Sequence, residues 1–392
     1  MPMSTSIEDL RARACRRMPR MFYEYADSGS WTEGTYRSNT SDLSRILLRQ
    51  RIGVNLEGRH VRSTLLGEPV ALPVALAPAG LVGMMHPDGE ILAARAAEAF
   101  GVPFALSTMS ICSIEDVAAA TSRPFWFQLY VMRDRGFTAS LMERAKAAGC
   151  PALIVTMDVP LLGRRHKDTK NGLSTPPRLR PSVMLNLATK LRWCAGMLTT
   201  RHRTFGNIIG HAPGVKDMRS LAEWSNLEVD PGCTWDDLAW VRERWGGKII
   251  LKGVLDPEDA RRAADLGMDA IVVSNHGGRQ LDGAPSSIAA LPAVAEAVGH
   301  RTEVWMDSGV RSGQDILKAL ALGARGTMIG RAYIYGLGAS GQAGVTRCLE
   351  ILAEELELTM ALCGRTCVSQ IDRSILLPGN YPGSPPVSAC AA

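Results

Sequence analysis

Eight short apolar runs, rich in β-branched and aromatic residues, recur along the chain at 70–77, 102–107, 125–130, 152–158, 249–252, 269–274, 303–307 and 326–330. Each is apolar nearly throughout and does not alternate with polar residues, so both faces of every strand must be covered. Alanine- and leucine-rich segments with helical spacing lie between them, at 89–100, 138–149, 257–267, 288–298 and 313–323. Strands buried on both faces and alternating with helices form a parallel sheet, and eight such units predict an α/β fold, a (β/α)8 TIM barrel. Asp256-Pro257 opens one of the helices and Leu266-Gly267 closes it, the punctuation a helix needs.

At 392 residues the chain is long for one domain, yet a barrel with attachments accommodates it. Residues 1–69 precede the first strand and are expected to form an N-terminal extension that brings Tyr25 to the active site. Residues 70–377 form the barrel, and the Pro-, Ser- and Ala-rich stretch 378–392 is expected to be a mobile tail. Between the fourth and fifth strands lies a long insertion, about 161–248. Within it, 176–214 carries Arg178, Arg180, Lys190, Arg192, Arg201 and Arg203 with no acidic residue, interleaved with Leu185, Leu187, Leu191, Trp193 and Leu198. That composition suits a membrane-surface patch, and equally an active-site lid or a subunit contact.

A net charge of +5 favours anionic ligands mildly and does not argue for nucleic acid. The nine cysteines are scattered and form no C-x-x-C pair, so neither a disulfide framework nor a metal site is expected. No apolar run reaches the roughly 18 residues needed to cross a bilayer. Residues 21–25 are too few and too polar for a signal-peptide core. The expected location is cytoplasmic, soluble or peripheral on the cytoplasmic face of the inner membrane.

Barrel enzymes carry their chemistry at the C-terminal ends of the strands. After the sixth strand comes Ser274-Asn275-His276-Gly277-Gly278-Arg279-Gln280-Leu281-Asp282. An imidazole titrates near neutral pH and takes a proton, an arginine three residues on offers a planar fork for a carboxylate, and the glycines let the backbone turn sharply. The other strand ends sort by chemistry. Asp307-Ser308-Gly309-Val310-Arg311 and Gly330-Arg331 follow the last two strands, the usual phosphate position of this fold. Ser107, Gln128, Thr156 and Lys252 supply donors and acceptors for the polar edge of a flat heterocycle. Tyr25, Tyr130, Arg165, His276 and Arg279 suit a small hydroxy acid: two cations for its carboxylate, phenols for its oxygens, an imidazole for its proton. Asp158 is placed to hold His276 in one tautomer and to stabilise its cation.

These strand ends, together with Phe127-Gln128-Leu129-Tyr130, resemble those of the FMN-dependent 2-hydroxy acid oxidase and dehydrogenase family, which includes glycolate oxidase, L-lactate dehydrogenase and mandelate dehydrogenase. The resemblance runs from about residue 10 to about residue 377. Within the family, 106–115, 130–136 and 341–345 are most similar to the bacterial respiratory L-lactate dehydrogenases. It implies FMN held non-covalently by Ala77, Pro78, Ala79, Ser107, Gln128, Thr156, Lys252, Ser274, Asp307, Ser308, Gly309, Arg311, Gly330 and Arg331. His276 would be the base, paired with Asp158, and Arg279 with Arg165 would grip the substrate carboxylate beside Tyr25 and Tyr130. Lys252 would lie near the pyrimidine edge of the flavin, where a cation stabilises the anionic reduced ring.

The activity implied is oxidation of an L-2-hydroxy acid, with L-lactate to pyruvate as the leading reaction, electrons passing to a quinone or another carrier, in a homotetramer. The alternatives are a mandelate-like aryl or longer-chain 2-hydroxy acid dehydrogenase and an oxygen-using oxidase. A phosphate-binding barrel without redox chemistry is the reading from a different class. Many relatives carry Thr where this chain has Ala79, so only the backbone serves the flavin there. Gly80 replaces a bulkier residue, which is expected to leave room for a larger substrate side chain lined by Met109 and Leu162.

Overall fold

The computed structural model describes residues 4–173, 181–215 and 230–383. An antiparallel hairpin, β1 (Ser63–Leu65) and β2 (Glu68–Val70), precedes eight parallel strands. These are β3 (Val74–Leu76), β4 (Ala105–Ser107), β5 (Trp126–Leu129), β6 (Ala152–Thr156), β7 (Lys248–Val254), β8 (Ala270–Val273), β9 (Glu303–Met306) and β10 (Gly326–Ile329). Neighbours in sequence are neighbours in the sheet, and β10 pairs with β3. The Leu76 amide donates to the Pro103 carbonyl at 2.9 Å and Leu76 bridges Phe104, which closes the ring.

All eight expected strands are present because each satisfies two cores at once. Ala75, Ile154, Ile250, Val272 and Met328 fill the barrel interior, while Val74, Leu76, Leu153, Val155, Leu251, Ile271 and Val273 face the surrounding helices. At the end away from the catalytic rim, Trp126 and Trp305 stack at 5.3 Å, and Leu65 and Leu66 of the hairpin join the same cluster. Large and small residues thus alternate, leaving the opposite rim free for function.

The helix at Gly89–Phe100 has the expected bounds, and Pro257–Asp265 starts where Asp256 accepts a hydrogen bond from the Glu258 amide at 2.7 Å. The final helix differs. It begins at Arg331, directly after β10, and runs to Leu362 with a break at Ser340 and Gly341, whereas the spacing of apolar residues in the sequence marks an amphipathic helix only over 350–363. Gly336, Gly338 and Gly344 interrupt the apolar run of its first part. In the fold they are contact points, since a Cβ on Gly336 would meet the Gly344 backbone and one on Gly338 would meet Met18. The helix Ile7–Arg17 buries Leu10 and Ala14 and packs with Met18 against this last helix, tying the N-terminal extension to the barrel.

Inside the stretch assigned to the insertion, Trp235–Trp245 buries Leu238, Val241 and Trp245 and forms the crossover helix into β7. The material ahead of it includes the helices His166–Lys170, Pro181–Ala188 and Leu191–Thr199. Neither of the last two buries a single residue. Arg178 and Arg180 lie outside the described residues, as does 384–392 of the tail. Among the described residues no helix is long and apolar enough to cross a membrane.

Candidate active site

The C-terminal rim of the barrel surrounds a cavity of about 700 Å³. Nearly all the residues picked from the sequence line it, including Tyr25, Tyr130, Arg165, Lys252, His276, Arg279, Arg311 and Arg331, with Ala77, Pro78 and Ala79 along one wall. Gln128, Asp158 and Ser274 stand just behind, each hydrogen-bonded to a wall residue: Ser107, His276 and Lys252 respectively.

His276 sits at a backbone φ of +57°, uncommon for a residue with a side chain. Its amide donates to Ser274 Oγ at 3.0 Å, and its ring Nδ1 faces the Asp158 carboxylate at 3.0 and 3.2 Å. Asp158 can stand there because residue 253 is glycine. With φ at +106°, a Cβ on Gly253 would lie 2.5 Å from the Asp158 Cβ. Burial pushes the Asp158 carboxyl up, but the charge and hydrogen bond of His276, with Lys252 behind, outweigh it and hold it below its ordinary value. An ionised Asp158 keeps the proton of the neutral ring on Nδ1 and leaves Nε2 as the accepting nitrogen.

Lys252 is 4% exposed, yet it bonds Ser274 Oγ at 2.7 Å and Asp307 Oδ2 at 2.8 Å. Burial favours its neutral form; Asp307 and Asp158 reverse that, so the net shift is upward and Lys252 stays charged. Arg165 is already paired, through Nε to Asp168 Oδ2 at 2.6 Å. Arg279 lies 4.5 Å from the centre of the Tyr25 ring and donates to the Tyr25 carbonyl. Burial, and then the nearby Arg165, push it down to about 10. A guanidinium remains charged under those conditions, so this pole of the cavity holds positive charge that an anion would relieve. Burial and Asp158 raise Tyr130, which therefore presents a neutral phenol.

The N-terminal extension is stitched to the His276 loop. Ser30 and Trp31 donate backbone hydrogen bonds to the Gly278 and Arg164 carbonyls at 2.8 and 2.9 Å, and Asp282 receives the amides of Thr32 and Thr35. Tyr25, on the helix Arg20–Ala26, is thereby seated over Arg279.

FMN fits the remaining wall. Gln128 Nε2 and Thr156 Oγ1 are buried without a hydrogen-bond partner, which is the state of groups awaiting a ligand's polar edge. Gly330 is the N-cap of the last helix and supplies no side-chain cap, and nothing lies within 4 Å of where its Cβ would be. With Gly309, Arg311 and Arg331 around it, that opening suits a phosphate. Burial pushes Arg331 down, as expected of a cation placed for an anion.

A family model for FMN-dependent dehydrogenases matches residues 14–378. The chain belongs to this family, and its cofactor is FMN. This FMN-dependent dehydrogenase is 49% identical over 376 residues to the L-lactate dehydrogenase of Caulobacter vibrioides (strain NA1000 / CB15N), covering 95% of this chain and 97% of that one. It is 46% identical over 374 residues to the L-lactate dehydrogenase of Pseudomonas syringae pv. syringae (strain B728a), covering 95% and 98%. Among solved structures, the monotopic membrane protein (S)-mandelate dehydrogenase superposes with a TM-score of 0.91 at 32% identity, covering 96% of this chain and 100% of that one. A mandelate oxidase with (S)-2-phenylpropionate superposes at 0.79 with 36% identity, covering 94% and 96%.

Three features of the dehydrogenase's site escaped the sequence. Asp168, in the short helix His166–Lys170, pairs Arg165 at that helix's N-cap, and the i,i+3 spacing is the signal that could have found it. Asp27 gathers hydroxyls from Tyr23, Tyr36 and Tyr335, a set with no local pattern. The room expected at Gly80 is also smaller than its side chain implies, because a Cβ there would come within 3.2 Å of the Met109 Cβ. Met109 and Leu162 do line the cavity, so the side chain of Met109 sets the space left for a substituent.

Proposed function

We propose that this dehydrogenase oxidises L-lactate to pyruvate and delivers the electrons to a membrane quinone. The observation that carries the hydroxy acid is the pairing of an oriented base with an under-partnered cation: His276, fixed by Asp158 at 3.0 Å, stands on the same loop as Arg279. Arg279 and Arg165 hold the carboxylate, and the Tyr25 and Tyr130 hydroxyls face the substrate oxygens. Nε2 of His276 takes the substrate's proton, and Asp158 stabilises the resulting imidazolium. Bound FMN supplies the two-electron acceptor. Gln128, Thr156 and Lys252 hold its polar edge and Arg311 and Arg331 its phosphate, while Gly309 and Gly330 leave the backbone open. The names of these two relatives and the close approach of Met109 to Gly80 support a methyl substituent. The 0.91 superposition on (S)-mandelate dehydrogenase keeps an aryl 2-hydroxy acid as the second reading.

The same neighbour is a monotopic membrane protein, which supports a membrane-bound state here. Leu185, Leu191 and Leu198 on the two extra helices are 70%, 75% and 76% exposed, and Arg192 and Arg201 accompany them. Exposed leucines with basic residues suit insertion at an anionic lipid surface. The enzyme is placed on the cytoplasmic face of the inner membrane, as a homotetramer like its family. The deciding experiment is anaerobic bleaching of the flavin by a panel of L-2-hydroxy acids, followed by reoxidation with oxygen or with quinone analogues. Faster bleaching by L-mandelate than by L-lactate, or reoxidation by oxygen alone, would replace this assignment.

A further inference from the structure

The active-site cavity has two chemically opposite ends. One is the polar end described above. The other is lined by Met21, Phe22, Met84, Leu187 and Trp193, contributed by four helices, Arg20–Ala26, Val82–Met85 and the extra pair Pro181–Ala188 and Leu191–Thr199. We propose that this apolar arm is the docking site and entry route of a lipid-dissolved quinone, the acceptor that reoxidises the flavin.

The arm is built and held in place. Trp193 donates its indole N–H to the Met84 carbonyl at 2.9 Å, and its ring lies 5.6 Å from that of Phe22. Together they offer a flat aromatic face, while Met21 and Met84 are adaptable around an irregular apolar ligand. Leu187 and Trp193 face the cavity, and Leu185, Leu191 and Leu198 on the same two helices face outward. A single layer of helix therefore separates the arm from the most exposed apolar surface of the insertion. Met21, Phe22, Met84, Leu187 and Trp193 offer apolar surroundings to a compound with a flat ring and a hydrocarbon tail that arrives from lipid.

A small hydroxy acid has no reason to enter there. Its carboxylate is served by Arg165 and Arg279 at the other end, and none of these five side chains carries a charge. The reaction balances without another reagent. L-lactate loses two electrons and two protons, one hydrogen leaving the carbon and one the hydroxyl, to become pyruvate. The quinone takes up two electrons at its carbonyl pair and two protons from solvent or His276 to become a quinol. This inference rests on the quinone-linked reading above and adds which wall of the site the acceptor uses.

The test uses the FMN-loaded enzyme and a decyl-tailed benzoquinone. Trp193→Ala and Leu187→Ser should leave flavin bleaching by L-lactate and reoxidation by ferricyanide unchanged. The KM for the quinone should rise about tenfold, the equivalent of roughly 1.4 kcal/mol of lost contact. A photoreactive azido derivative of the same quinone should label wild-type peptides from 181–199 and 20–26, a readout independent of turnover and of either variant's folding. If the wild type is reoxidised by quinone but neither variant changes its KM and the label falls elsewhere, the arm is not the acceptor route and the functional reading survives. If the wild type is not reoxidised by quinone at all, the functional reading itself fails. Loss of bleaching by L-mandelate in Trp193→Ala, with quinone kinetics intact, would assign the arm to a substrate's aryl group instead.

Discussion

The side-chain amides of Asn39 and Asn275 exchange both of their hydrogen bonds, at 2.9 and 2.7 Å, across the junction between the N-terminal extension and the catalytic loop. Both residues are buried, and each also serves the backbone: Asn275 Oδ1 receives the Gly278 amide at 3.0 Å, and Asn39 Oδ1 the Ser287 amide at 3.2 Å. Asn39→Ala would leave buried polar groups with fewer partners. We expect a loss of about 1–3 kcal/mol of stability, measured by urea unfolding of the holoenzyme. Because the same junction seats Tyr25 over Arg279, the KM for L-lactate should rise while FMN stays bound. Unchanged KM with lowered stability would mean the pair is structural only.

The contact of His276 Nδ1 with Asp158 gives the second expectation. Asp158→Asn removes the charge that stabilises the imidazolium and lets the amide dictate a different tautomer. Turnover should fall by about 10²-fold or more, with the flavin spectrum and FMN content unaltered. Since the Asp158 carboxyl lies below its ordinary value in the folded enzyme, its help is fully present at neutral pH and is lost only as pH falls through that lowered value. The ratio of wild-type to variant kcat should accordingly stay flat between pH 6 and 8. A ratio that collapses within that window would show that Asp158 is protonated there.

What the sequence disclosed follows from how locally each feature is encoded. A strand covered on both faces leaves a continuous apolar run, so the barrel was legible. His276 and Arg279 share one loop, and the catalytic loop was legible with them. Asp27, with partners at 11, 23, 36 and 335, depends on four helices meeting in space, and no spacing announces that. Gly336 and Gly338 concealed a helix because a glycine demanded by close packing is written like one demanded by a turn. The insertion was legible as composition, but only the fold brought Trp193 and Leu187 to the apolar end of the cavity.

Gln128 Nε2 and Thr156 Oγ1 are orphaned in the absence of a ligand, which makes them measurable. Gln128→Leu and Thr156→Val replace a donor that FMN would satisfy with an apolar group of similar size. Each should weaken FMN retention roughly tenfold, in line with the loss of one ligand hydrogen bond of ~1.4 kcal/mol. The free Thr156→Val protein should be stabilised slightly, because an unpaired buried group has been removed, whereas Gln128→Leu also loses the hydrogen bond from Ser107 and should not be. Flavin release on dialysis and thermal unfolding of the FMN-stripped protein report the two effects separately. FMN affinity at the wild-type level in both variants would place the flavin's polar edge elsewhere.

Asp27 supplies the last expectation, one about pH and stability. Its carboxylate is 5% exposed and accepts from the hydroxyls of Tyr23, Tyr36 and Tyr335 at 2.7–2.8 Å and from Arg11 at 2.9 and 3.0 Å. Burial pushes the carboxyl up, but these donors and the Arg11 charge hold it well below the carboxylate range. A folded-state value beneath the unfolded one, about 3.9, means the stabilisation is complete above that pH and is lost as pH falls toward the folded value. Asp27→Asn keeps the shape and removes the charge, and it should cost about 2–4 kcal/mol at pH 7. The difference in melting temperature between wild type and variant should be constant from pH 8 to pH 5 and should shrink below about pH 4. A gap that persists undiminished into acid would show that the hydrogen-bond geometry, and not the ionised carboxylate, is what holds the extension to the barrel.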